Sequence, residues 1–171
     1  MRVPVIIPRA VGLGLRVADS LVFLPAVLTR TVIGHAFFLT GRGKLANFEN
    51  TVSFFTDLGI PMPELNAAFV SRLEYYGGML LIVGLLTRVV AGLLGSTMIV
   101  ALLTADKETF VKALTGAGEV GLTDVTPFVY GLFLLWLLLS GPGVLSLDAP
   151  LAKALGIGKR PETDSAAAAG A

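Results

Sequence analysis

Three apolar stretches of the chain carry polar side chains that could do chemistry. Arg30 and His35 lie in RTVIGHAFFLTGRGK, Glu74 lies in SRLEYYGG, and Tyr130 lies in DVTPFVYG. An ionisable residue in the middle of a membrane span costs at least about 2.5–3.5 kcal/mol, so such residues usually face inward, pair with one another and mark a functional site. We therefore predict a buried polar site made of Arg30, His35, Glu74 and Tyr130.

The depth of these residues supports that prediction. His35, Glu74 and Tyr130 each lie about six residues from the same end of their predicted helices, which is roughly 9 Å at 1.5 Å per residue. A carboxylate, an imidazole and a phenol could bind the ring of a quinone and move protons. Three aromatic or aliphatic residues would supply the apolar wall of the cavity: Phe37, Phe38 and Leu81.

A structural role for the same residues stays open. Glu74 could pair with Arg30 or His35 only to hold the helices together, and Gly77, Gly78 and Gly84 would allow a close helix approach. Metal binding is not expected, because the chain has a single histidine and no cysteine. The missing cysteines also exclude disulfides and thiolate electron relays. A net charge of +1 gives no reason to expect nucleic acid.

Composition indicates an integral membrane protein. The 171 residues are 54% hydrophobic and 15% charged, with a mean hydropathy of +0.82, whereas soluble domains are about a quarter charged. Apolar runs near the length needed to cross a bilayer predict an all-α bundle of four transmembrane helices. The predicted spans are 21–41, 68–86, 89–105 and 124–140.

The connecting segments carry weaker signals. Apolar residues at helical spacing in 48–58 predict a short interfacial helix between the first two spans. Gly59, Pro61 and Pro63 should end it. We expect 106–123 to be an interfacial loop, and Asp148 to begin an amphipathic tail helix whose continuation ends in disorder.

Lysine and arginine counts predict the orientation. Seven of them fall on the side of the two termini and four on the other side, which favours cytoplasmic termini. We therefore expect a multi-pass protein with a cytoplasmic segment at 1–20, a four-helix membrane domain at 21–148 and a cytoplasmic tail at 149–171.

In series, the motifs resemble the DoxX family of four-helix membrane proteins. The resemblance covers about residues 26–150 and rests on these stretches: R-x-x-x-G from Arg30, G-x-x-K from Gly41, F-x-x-x-G-I-P-x-P from Phe55, EYYGGMLLIVGLLTR from Glu74, and GPGVLSLD ending at Asp148. Arg30, Lys44, Glu74 and Arg88 match the family pattern, whereas His35 and Tyr130 have no counterpart in it.

The resemblance implies a bacterial inner-membrane protein linked to redox chemistry. The related DoxD subunit belongs to a thiosulfate:quinone oxidoreductase, and other members are associated with oxidative-stress complexes. The first hypothesis is thus a quinone-interacting subunit of a membrane oxidoreductase that has no covalent cofactor and needs a soluble or membrane redox partner. A non-enzymatic scaffold for soluble redox enzymes, or a small-molecule carrier if the chain is oligomeric, are the alternatives.

Overall fold

A computed structural model describes residues 21, 23–143, 146–148, 150 and 154. The regular structure in these ranges is helical. It consists of six α-helices and one short 3-10 helix at Leu122–Asp124. The α-helices are α1 (Phe23–Ala46), α2 (Phe48–Asp57), α3 (Pro63–Val83), α4 (Thr87–Leu103), α5 (Lys107–Thr115) and α6 (Thr126–Ser140). The all-α prediction is confirmed.

The number of membrane spans is a separate question. Among the described residues, α1 alone is long and apolar enough to cross a bilayer. α4 and α5 pass the same test only together, and they are bent by 80° at the break between them. α6 is apolar but has 15 residues. One or two spans are therefore supported by length and composition, and the four-span bundle stays a prediction.

The connections agree with the sequence in one place and differ in another. The helix predicted after the first span is present as α2, and Gly59, with a φ of +69°, follows it. The segment 106–123 was expected to be a loop, but it contains α5. The segment has charges of both signs, but the residues of α5 also follow a short amphipathic pattern. Gly116, with a φ of +68°, ends the helix.

A backbone contact between α1 and α3 sets the arrangement of the helices. A Cβ placed on Gly34 would lie 2.7 Å from the carbonyl oxygen of Gly78, and a Cβ on Gly41 would lie 2.7 Å from the Cα of Tyr75. Both distances are too short for real side chains, so glycine is required at these positions. Gly77 faces the other way, toward Val90 and Leu94 of α4. The close helix approach predicted for Gly77 and Gly78 is therefore present.

The apolar core joins four helices. Phe37 of α1, Leu81 of α3, Leu94 of α4 and Leu134 of α6 belong to one buried cluster, and each is at most 2% exposed. α1 packs mainly on α3, and α4 packs mainly on α6. The core thus holds two helix pairs together.

Asp148 connects the C-terminal part of the described chain to the start of α4. Its carboxylate accepts hydrogen bonds from the backbone N–H of Leu86 (2.6 Å) and of Thr87 (2.9 Å). Its own N–H donates to the carbonyl oxygen of Gly84 at 3.0 Å. The sequence suggested that Asp148 would begin a tail helix, and the described residues Asp148, Pro150 and Ala154 are helical. The Asp148 carboxylate caps α4 in addition. The proposed segments at 1–20 and 149–171 lie outside the described residues, apart from 150 and 154.

We predict that Gly41→Ala lowers the free energy of unfolding by about 1–3 kcal/mol or more, because the added methyl group overlaps the α3 backbone. Gly43→Ala is the matched control, since nothing lies within 4 Å of a Cβ at Gly43. Thermal unfolding of the purified protein in detergent, followed by circular dichroism, measures both. Equal stability of the two variants would contradict the close contact.

A second prediction concerns the cap on α4. Asp148→Ala should lower the free energy of unfolding by about 0.5–2 kcal/mol, because two backbone N–H groups lose their acceptor. Asp106→Ala is the control, since Asp106 occupies the same position before α5 without a side-chain capping bond. The same melting experiment would contradict the cap if Asp106→Ala were the more damaging change.

Candidate functional site

A buried ion pair joins α1 to α3. Lys44 Nζ lies 2.5 Å from Glu74 Oε1. The Glu74 side chain is 3% exposed and that of Lys44 is 32% exposed, so the carboxylate is shielded from solvent while the ammonium remains at the edge. Burying a carboxylate is costly unless it is paired. Lys44 therefore makes the buried position of Glu74 tolerable.

The helix contact described above places this pair. Gly41 lets α1 pass directly beside Glu74 and Tyr75 on α3, and Lys44 follows Gly41 by about one turn on the same face of α1. Thr51 of α2 donates a hydrogen bond to the carbonyl oxygen of Lys44 at 3.3 Å. The end of α1 is thus held between α3 and α2.

Two buried oxygens near the pair have no hydrogen-bond partner among the described residues. They are Glu74 Oε2 and the hydroxyl oxygen of Ser71, one turn earlier on α3. Glu74 Oε1 alone is engaged by Lys44. The ion pair therefore leaves two buried oxygens of α3 without a hydrogen bond. Buried polar atoms without a partner are rare in native structures and need an explanation.

A cavity of about 220 Å³ lies beside the ion pair. An apolar cavity of about 150 Å³ can hold a benzene molecule, so this space suits one substituted ring. Four uncharged polar residues also line the cavity, and each donates a hydrogen bond to a backbone carbonyl: Asn66, Ser96, Thr97 and Thr104. Lys44 and Glu74 are the charged residues of the lining, and the apolar walls include Phe54, Phe55, Ile60, Phe69, Met98 and Ala101.

The structure does not bring the four predicted site residues together, and this prediction is wrong in its grouping. Arg30 lies beside Gly84, and its Nη1 donates to the carbonyl oxygen of Pro142 at 3.1 Å. Glu74 is ten residues from Gly84 along α3, which is about 15 Å. Glu74 is buried as expected, but its partner is Lys44 and neither Arg30 nor His35.

The remaining predicted residues also lie away from the cavity. His35 is exposed, and it lies about 100° around α1 from Gly34, which touches α3. Tyr130 is half-buried, with its ring 5.8 Å from that of Phe37. The predicted wall residues belong elsewhere too: Phe37 and Leu81 lie in the core, and Phe38 packs against Tyr75 with ring centroids 5.1 Å apart.

The error has a definite cause. Depth along each helix does not fix the register between helices. α1 runs past the predicted end at 41 to Ala46 and α3 begins early at Pro63, so His35 and Glu74 still lie equally far from these two helix ends. The true register is set by Gly34 against Gly78 and by Gly41 against Tyr75, which places His35 well past Glu74. Lys44, the residue missed as a site member, falls in the added turn. Its signal was present in G-x-x-K at Gly41 and Lys44.

The described residues do not meet the requirements of a metal site. Within the described ranges, no three histidine, aspartate or glutamate side chains lie close enough to hold a metal ion. The site therefore offers a carboxylate, an ammonium group and an apolar space. These can bind a small ring that accepts a hydrogen bond, and they can exchange a proton with it.

Comparison with known proteins supports the family resemblance over part of the chain. The model of the DoxX family matches residues 25–107. This range contains Arg30, Lys44, Glu74 and Arg88 and ends before α6. The chain is similar to a protein of Bacillus subtilis (strain 168) named "Putative oxidoreductase CatD", with 36% identity over 78 residues. The match covers 46% of this chain and 57% of the relative, and no solved structure matches.

We predict that Lys44 and Glu74 contribute non-additively to the free energy of unfolding. Removing one partner of a buried pair costs about 3–5 kcal/mol, because the other charge is left buried and unpaired. Lys44→Met and Glu74→Gln should each destabilise the protein, and the double variant should lose clearly less than the sum of both.

Unfolding of all three variants in detergent tests this. Glu64→Gln is the matched control, since Glu64 is exposed on the same helix. It should leave stability nearly unchanged. Strict additivity of Lys44→Met and Glu74→Gln would contradict a direct interaction.

Proposed function

We propose that the protein is a membrane subunit of an oxidoreductase and that its cavity binds the ring of a quinone. The match of the DoxX family model to residues 25–107 supports the first part of this proposal. The observation that supports the quinone is the combination of a ring-sized apolar space with one buried ion pair at its edge. Pockets for small molecules usually have this composition, with many apolar walls and few polar groups.

The ion pair would orient the ring. Quinone carbonyl oxygens accept hydrogen bonds, and the ammonium group of Lys44 has three donors. Glu74 Oε1 occupies one of them. A second donor would reach a carbonyl oxygen, while Phe54, Phe69 and Met98 contact the faces and edge of the ring. Lys44 would thus fix the orientation of the quinone ring, and the apolar walls of the cavity would supply most of the binding affinity.

Reduction of a quinone to a quinol takes up two electrons and two protons. In this proposal the electrons come from a redox partner, either a soluble or a membrane protein of sulfur or oxidative-stress metabolism. The protons pass through Glu74 and Lys44, because these are the ionisable groups of the cavity. A proton taken up by Glu74 would leave the single positive charge on Lys44, whose side chain is 32% exposed and therefore partly hydrated.

The membrane setting is part of the same proposal. α1 would span the bilayer, and α3, α4 with α5, and α6 would complete a four-span bundle in the bacterial inner membrane with both termini in the cytoplasm. A quinone dissolved in the bilayer could then reach the cavity without crossing an aqueous phase.

A scaffold function is the second candidate, and the position of the ion pair favours it. Lys44 and Glu74 join the two helices whose backbones already touch at Gly41. If the pair served stability alone, the chain would hold redox enzymes at the membrane without binding a quinone. The two functions differ in whether the cavity is used.

We predict that the purified full chain in detergent or nanodiscs binds a short-chain benzoquinone, measured by quenching of its intrinsic fluorescence or by calorimetry. Ala101→Phe should weaken binding by about tenfold or more, since it fills the cavity without changing a charge. Lys44→Met should weaken it by a similar factor through loss of a charged donor.

Lys112→Met is the control for the charge change, because Lys112 is exposed on α5. It should bind like the wild type. No binding by the wild type, or equal binding by the wild type and Ala101→Phe, would reject the quinone site and favour the scaffold.

A further inference from the structure

One face of α1 is left uncovered by the rest of the described chain. Its exposed residues recur at alternating steps of four and three, the spacing of the contact positions in a coiled coil. We call this face the α1 seam, and its residues are Leu28, Val32, His35, Leu39 and Arg42. The buried residues Ile33, Phe37 and Gly41 lie on the opposite side of the same helix.

His35 makes this face unusual. It lies near the middle of α1, the helix of the described residues that is long and apolar enough to cross a bilayer. A lysine or arginine can extend its charged end to the membrane surface, but an imidazole is too short to do so. A polar ring facing hydrocarbon lacks hydrogen-bond partners, and an interhelical hydrogen bond relieves that cost.

The other ionisable residues of α1 are in different situations. Arg30 donates to the carbonyl oxygen of Pro142, and Lys44 pairs with Glu74. Arg42 is exposed, but it lies near the end of the helix and has a long side chain. Within the described chain, no hydrogen bond or ion pair reaches the His35 side chain. The exposed face of α6, with Leu132, Leu135 and Leu139, is apolar and suits lipid.

We propose that the α1 seam is an interface with a second copy of this chain. Two copies inserted with the same topology are related by a twofold axis along the membrane normal, so their α1 helices run parallel. In that geometry each seam residue meets its own counterpart. Leu28, Val32 and Leu39 then form apolar pairs, and His35 meets His35 at the centre.

The chemistry of the imidazole fits this arrangement. A neutral imidazole has one nitrogen that donates and one that accepts, so two identical rings can satisfy each other. A single polar residue in an otherwise apolar seam also fixes the register of two parallel helices. Arg42 falls at the end of the seam, where its charge remains hydrated. A lipid surface would need no polar residue at this position.

Single cysteines test the interface directly, because the natural chain has none. Val32→Cys and Leu39→Cys, oxidised in native membranes, should give disulfide-linked dimers of twice the chain mass. Thr40→Cys is exposed on α1 about 100° around the helix from Leu39, and Ile99→Cys is exposed on α4. Both controls should remain monomeric under the same oxidation.

The role of His35 is tested in the Val32→Cys background. His35→Ala should lower the cross-linked fraction at limiting protein density about threefold, the factor expected for one interhelical hydrogen bond. His35→Asn, which can also pair with itself, should restore it. Three results would each overturn the proposal. They are no disulfide at the seam positions, equal yields at Thr40→Cys or Ile99→Cys, and capture of a protein of another mass by a bifunctional reagent.

Discussion

The contact between the backbones of α1 and α3 is the constraint on which the rest of the structure depends. At Gly34, Gly41 and Gly78 the backbone of one helix lies against the backbone of the other, so the two helices approach more closely there than a side chain would allow. That approach sets the register, and the register decides which polar groups meet. Lys44 reaches Glu74 because Gly41 lies against Tyr75, and Arg30 reaches Pro142 because it lies level with Gly84.

Buried charged side chains lie at both ends of the contact between α1 and α3, and they have different partners. At one end, Glu74 is buried and is matched by a single lysine whose side chain is a third exposed. At the other end, Arg30 donates to the carbonyl oxygen of Pro142, and the Asp148 carboxylate accepts from the backbone N–H groups of Leu86 and Thr87. Neither Arg30 nor Asp148 lines the cavity, so the second end suits a fixed connection. The first end keeps two titratable groups beside a cavity, and this difference is the reason to place the chemistry there.

The sequence predicted helices far better than it predicted contacts between them. The apolar runs gave four of the α-helices and the 48–58 pattern gave a fifth, because periodicity depends on local residues. The site required a register between α1 and α3, which the helix ends do not provide. His35 and Glu74 lie equally far from the ends of their helices, yet Gly41, and not His35, lies beside Glu74. Lys44 was recognisable as part of G-x-x-K, but its pairing depends on Gly41 touching α3, which no single helix pattern contains.

The cavity follows from the same geometry. Gly77 holds α3 against Val90 and Leu94, in the first half of α4. Beyond Leu94 the two helices line a space instead of packing, since Met98 and Ala101 of α4 and Phe69 and Val70 of α3 form its walls. α4 then ends at a break, where α5 turns away by 80°, and α2 covers the opening with Phe54 and Phe55. Close packing at the glycines and separation one turn later thus place an apolar space directly beside the one buried carboxylate of α3.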